Sequence, residues 1–140
     1  MNVYCIEDFK VEFEKLISNK SYRTLKQDTI DYFFGKSISE LCSGTRLNNS
    51  NHTPYIKKRI GGSGGYRFYF LLIIKDESLY LMFVHPKTGS MGAENIKNDS
   101  KVYLYKKILK CIKNDDLFSL ELSENNTNII FKKTEKVKTI

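Results

Sequence analysis

Residues 65–85 read GYRFYFLLIIKDESLYLMFVH. From Tyr66 to Ile74 every residue but Arg67 is aromatic or aliphatic, a composition that suits a pleated strand rather than a helix. A run that is apolar on both faces needs cover from both sides, which places this strand inside a sheet and not at its edge. Asp76, Glu77 and Ser78 form a turn, and LYLMFVH (79–85) forms the next strand. Upstream, PYIKKRI (54–60) forms a strand before the glycine turn GGSGG (61–65). Short links join antiparallel neighbours, so the three strands form a meander.

Working outward, NVYCI (2–6) forms a short strand. In EDFKVEFEKLIS (7–18), Phe9, Phe13, Leu16 and Ile17 fall on one helical face, with Glu7 and Asp8 in the first turn, where the helix dipole favours acids. SYRTLKQDTIDYFFG (21–35) predicts a second helix capped by Ser21 and ended by Gly35, with Tyr22, Leu25, Thr29, Tyr32 and Phe33 on one face. Two helices this close in sequence form an antiparallel hairpin. Residues 35–54 are polar and read as a connection.

A third helix fits Asn98 to Asn114, with an apolar stripe of Val102, Tyr105, Ile108, Leu109 and Ile112. Its other face carries Lys101, Lys106, Lys107, Lys110 and Lys113, more simply a solvated face than a nucleic-acid ridge. LFSLEL (117–122) and NIIFKK (128–133) can pair as a hairpin before a frayed tail. The expected fold is α+β: a small antiparallel sheet packed against an N-terminal helical hairpin and a C-terminal helix. It is one domain, with its main body at 1–116 and an extension at 117–140.

The 140-residue chain carries 23 Lys and Arg against 16 Asp and Glu, a net charge of +7 with a pI near 9.2. That surplus suits an anionic partner, and nucleic acid is the commonest soluble one. The three cysteines, Cys5, Cys42 and Cys111, are odd in number and far apart. Their spacing speaks against a disulfide framework or a zinc site and for a reducing compartment. Acids stand where a signal peptide would be apolar, and no window approaches the roughly 18 apolar residues of a membrane span. The expectation is a cytoplasmic protein with no membrane partner.

The charge is concentrated. Residues 53–75 hold Lys57, Lys58, Arg59, Arg67 and Lys75 and no acid. Strand alternation puts Lys57 and Arg59 on one face and Lys58 on the other, and gives Arg67 and Tyr69 a common face. If the glycine turn joins its strands directly, Arg59 and Arg67 meet, and an anion between them relieves their repulsion. GGSGG lacks the lysine and the following helix of a P-loop. It reads as a plain hairpin turn or as backbone N–H groups open to a phosphate.

His85 alternates in register with Leu81 and Phe83, and stands open to two readings: a strand-end residue or a proton-transfer group. His52 lies in a polar loop. No metal-ligand cluster, cofactor motif or hydrolase triad stands out. Lys, Arg, Tyr and His suit metal-free phosphodiester cleavage of RNA: the 2′-OH attacks, cations stabilise the added charge, and a polar side chain moves the proton.

The segment KKRIGGSGGYRFYFLLIIKDESLYLMFVHPKTG (57–89) resembles the core of the RelE/HigB superfamily of type II toxins. The shared pattern is a basic strand, a glycine turn ending in GGxR, an acidic turn, and a strand closing on an aromatic or histidine before a lysine. It covers about residues 3 to 113. The resemblance implies an endoribonuclease that cuts mRNA on the ribosome, arrests growth and is silenced by a cognate antitoxin protein. By position it implies that Arg67 meets the scissile phosphate, that Lys57, Lys58 and Arg59 form the basic strand, that Lys87 matches the lysine after the last core strand, and that His85 stands near the proton-transfer position. Tyr69, sharing a face with Arg67, joins this catalytic set, and Lys75 joins the nucleic-acid-binding set. No metal or small-molecule cofactor is implied. Lys57 and Lys58 replace the usual Glu-Leu-Arg-like start of the basic strand, and the tail from Leu117 onward is extra. Relatives that poison gyrase, or that bind nucleic acid without cutting it, are the alternatives.

Overall fold

The computed structural model describes residues 1–62, 65–87 and 96–134. The middle of the glycine turn, residues 88–95 and all of the expected frayed tail except Thr134 lie outside the described residues. In chain order the elements are β1 (Asn2–Cys5), α1 (Glu7–Ile17), α2 (Leu25–Phe33), α3 (Ile38–Leu41), β2 (Thr45–Arg46), β3 (Tyr55–Ile60), β4 (Tyr66–Ile73), β5 (Ser78–Pro86), α4 (Asn98–Asn114), β6 (Phe118–Leu122) and β7 (Ile129–Lys133).

The expected architecture needs correction. The sheet is not small and antiparallel but mixed and seven-stranded, in the order β2-β3-β4-β5-β1-β6-β7. The N-terminal strand β1 runs parallel to β5, with Asn2 opposite Ser78 and Cys5 opposite Leu81, and antiparallel to β6. No N-terminal helical hairpin backs a small sheet. After α1 the chain makes a 3₁₀ turn at Lys20–Tyr22, and α2 begins only at Leu25. The Asn19 side chain accepts from the Ser21 N–H and holds that turn. The longest helix, α4, is followed by the β6–β7 hairpin, so it is not C-terminal.

The physical reason lies in β4. Phe68, Phe70 and Leu72 of β4 face a cluster that includes Phe9, Phe13 and Leu16 of α1, Leu25 and Phe33 of α2, and Leu41 of α3. Tyr69 and Leu71 of the same strand face a second cluster with Leu104, Ile108 and Cys111 of α4. Both faces of β4 are thus buried, by helices on opposite sides of the sheet. Phe33 meets the rings of Phe68 and Phe70 edge-on, at 5.0 and 5.2 Å between centroids.

The stripe on α4 is rotated from its expected position. Leu104, Ile108 and Cys111 are buried, whereas Val102 and Leu109 are 53% and 48% exposed. The short helix α3 was hidden in the polar connection. Ser37 and Glu40 cap it reciprocally, a capping box spelled SISE in the sequence.

One irregularity sets the site. Along β4–β5, Tyr69 pairs with Phe83 but Phe70 pairs with Leu81, so Met82 is an extra residue in β5. Such a bulge breaks the two-residue alternation. Leu81 and Val84 lie in the α1-side cluster, while Met82 and Phe83 both pack on the α4 side. His85, two residues beyond Phe83, follows it to the α4 side. Leu81 therefore does not share a face with Phe83 and His85.

Phe68 is fully buried between the rings of Phe9 and Phe33. Phe68→Ala is expected to lower unfolding free energy by about 3–5 kcal/mol, measured by denaturant titration. Gly61 has a φ of +95°, and Gly61→Ala is expected to cost about 1 kcal/mol.

Candidate nucleic-acid interface

The hairpin β3–β4 closes as its register requires, with Ile60 opposite Tyr66 and Arg59 opposite Arg67. Gly65 has no room for a side chain: a Cβ there would stand 2.4 Å from the Ile60 carbonyl oxygen. Below the turn, the Tyr66 hydroxyl shares a 2.8 Å hydrogen bond with Thr24 Oγ1, which anchors this end of the sheet to the start of α2.

Two cross-strand rows follow. Arg59, Arg67 and His85 lie side by side across β3, β4 and β5, and Lys57, Tyr69 and Phe83 form the next row. Alternation puts Lys57 and Arg59 on the side of Tyr55, and Arg67 on that of Tyr69, which is the α4 side. Opposed side chains on one face stand about 5 Å apart at Cβ, so like charges here repel and favour an anion between them. The Arg59 guanidinium also donates to the Gly62 carbonyl at 3.4 Å.

His85, at the β5 end of the first row, is 5% exposed. Its Nδ1 is 3.2 Å from the Pro86 carbonyl and its Nε2 is 3.2 Å from the Tyr69 hydroxyl. A carbonyl only accepts, so Nδ1 carries the proton, and in the neutral ring Nε2 accepts from Tyr69. The two rings stack with centroids 5.7 Å apart. Burial pushes the Tyr69 phenol above the usual tyrosine range, partly offset by a backbone hydrogen bond at Ile96 and by Arg67. The pair can hold a proton at a fixed place beside Arg67.

Of the other residues singled out from the sequence, Lys87 is at this same end. It is half-buried, and its backbone N–H donates to the Gly65 carbonyl at 3.0 Å. Lys58 is not. It points to the opposite face, where its ammonium donates to the Ser43 carbonyl and hydroxyl, both at 3.2 Å. Lys75 is exposed in a 3₁₀ turn at the far end of β4, about 25 Å along the strand from Arg67. Among the described residues no cluster of potential metal ligands occurs, and no helix is long and apolar enough to cross a membrane.

The structure adds Lys101 to the site. Lys57 is held below the usual lysine range by burial first, then by the charges of Lys101 and Arg67. The three cations therefore share one field, and α4 contributes to it. The lysine face of α4 is not uniformly solvated either: Lys107 is half-buried and paired with Asp8 in the first turn of α1. The sequence signal for Lys101 was its position three residues before the inward-facing Leu104, on the flank of the buried stripe.

Comparison with protein-family models, curated proteins and solved structures finds no match.

The lowered proton affinity of Lys57 has a readable consequence. The charged form attracts an anion, and the lowered range means the charge is lost as pH rises before it reaches the ordinary lysine value of about 10.4. Binding of a polyanion is expected to weaken in that alkaline window, and Lys57→Arg is expected to remove the weakening. Fluorescence anisotropy across the alkaline range measures both.

Proposed function

We propose that the chain acts on RNA, gripping its phosphate backbone on the α4 side of the sheet at the glycine-turn end. The observation that carries this reading is the row Arg59–Arg67–His85 with Lys57 and Lys101 beside it. Cations brought into one field at a sheet end attract an anion, and a phosphodiester backbone supplies one. In the fuller reading the protein is a metal-independent endoribonuclease toxin that cuts translated mRNA. The 2′-OH attacks the adjacent phosphorus, the 5′-oxygen leaves, and a 2′,3′-cyclic phosphate remains. Arg67, with Lys87 at the same end, stabilises the charge on the phosphoryl oxygens. His85 and Tyr69 govern the proton. A cognate antitoxin protein would silence this activity.

One observation favours a second reading. His85 and Tyr69 are 5% and 0% exposed, which suits a brace for Arg67 better than direct contact with substrate. In that reading the protein binds RNA and does not cut it.

Incubating purified protein with a single-stranded RNA, with and without a chelator, separates the two. Chelator-resistant cleavage is expected, reduced about 10²–10³-fold by Arg67→Ala and changed little by Lys75→Ala. Salt-sensitive binding to intact RNA would favour the second reading. Neither binding nor cleavage would overturn both.

A further inference from the structure

A cleft of about 470 Å³ opens between the N-terminal half of α4 and the start of β3, within the roughly 300–1,000 Å³ span of small-ligand pockets. Its walls are apolar and aromatic: Leu47, Tyr55, Val102 and Tyr105. Tyr55 and Tyr105 stack face to face, with centroids 5.3 Å apart and ring planes at 16°. The ammonium-bearing Lys101 and Lys106 stand at its rim, with Asn98 in the first turn of α4. Asn48 braces the wall. Its amide donates to the Thr53 carbonyl and accepts from the Tyr55 N–H, both at 2.9 Å.

The cleft is continuous with the cation row. Tyr55 and Lys57 are same-face neighbours on β3, about 7 Å apart along the strand. The Tyr55 hydroxyl donates to the Lys101 carbonyl at 3.1 Å, and Lys101 is near enough to Lys57 to shift its proton affinity. A backbone lying on Arg67, Lys57 and Lys101 therefore passes the mouth of an aromatic slot. Apolar walls alone would fit many guests. Apolar walls with two lysines at the rim, opening directly off a cationic row, fit a flat ring attached to a phosphate chain.

We infer that this cleft takes one unstacked base of a single-stranded RNA whose phosphates lie on Lys57, Lys101 and Arg67. The inference rests on the RNA reading above and deepens it. A base can enter only when it is free of a duplex, so the substrate class is single-stranded. Asn98, exposed at the entrance, offers an amide to the base edge, and Tyr105 offers a ring against its face.

The test uses the full chain and a fluorescein-labelled eight-nucleotide 2′-O-methyl RNA, which cannot undergo 2′-OH attack. A set of oligomers, each with one base removed, keeps the phosphates and changes only the bases. Affinity is expected to fall about tenfold or more for one position in the set and to change little for the others. Tyr105→Ala is expected to weaken the intact oligomer by a similar factor, and to leave unchanged the oligomer that already lacks the critical base. If Tyr105→Ala does not fold, the base-removal series alone decides. Equal affinity for every oligomer in the series would overturn the base cleft while leaving RNA binding by the cation row intact. Failure of all oligomers to bind, even at low salt, would overturn the RNA reading and the cleft with it.

Discussion

A strand that is apolar on both faces cannot stop at one layer of cover. Phe68, Phe70 and Leu72 need a wall on one side of β4, and Tyr69 and Leu71 need another on the opposite side. That constraint puts α1, α2 and α3 on one face and α4 on the other. It also explains why the sheet grows to seven strands. Once β5 is covered on both faces, its free edge needs a partner, and β1 supplies it in parallel. The β6–β7 hairpin then extends the sheet beyond β1. Lys10 of α1 lies over the rings of Phe118 and Phe131, at 5.3 and 5.5 Å, which ties the added hairpin to the first helix.

The charged row lies where the α4-side core ends. The α4-side core ends at Tyr55 on β3 and Tyr69 on β4, and the residues beyond them toward the turn, Lys57, Arg59 and Arg67, are charged. Apolar residues at those positions would have extended the core. The bulge at Met82 adds His85 to the same side. Without it, alternation would turn His85 toward the α1-side helices, and the Arg59–Arg67 pair would have a different neighbour. The arrangement thus combines a rigid scaffold, a charged row at one sheet end, and a buried polar pair beside it.

Local patterns in the sequence were readable and long-range ones were not. Strands β3, β4 and β5, helix α1 and the pairing of Arg59 with Arg67 follow from alternation, helical spacing and one short turn. The parallel partnership of β1 and β5 has no local signature, because it joins residues more than seventy positions apart, and its absence from the expectation is why a small antiparallel sheet was expected. The α4 stripe was misplaced because Val102 and Leu109 are as apolar as the residues actually buried, so spacing alone could not choose between adjacent faces. Within the site, the split of Lys57 and Arg59 from Lys58 was legible from strand alternation. The position of His85 was not, since the bulge depends on pairing. The contribution of Lys101, and the cleft beside it, required knowing which face of α4 meets the sheet.

The central claim is that one side of one sheet end, and not the general positive charge, meets RNA. Titration of an uncleavable single-stranded RNA into isotope-labelled protein, followed by lysine, arginine and histidine side-chain chemical shifts, tests it most directly. Perturbations concentrated at Lys57, Arg59, Arg67, His85 and Lys101, with Lys58 and Lys75 little affected, are the expected result. Shifts spread evenly over the lysines of the surface, or centred on Lys75, would contradict it.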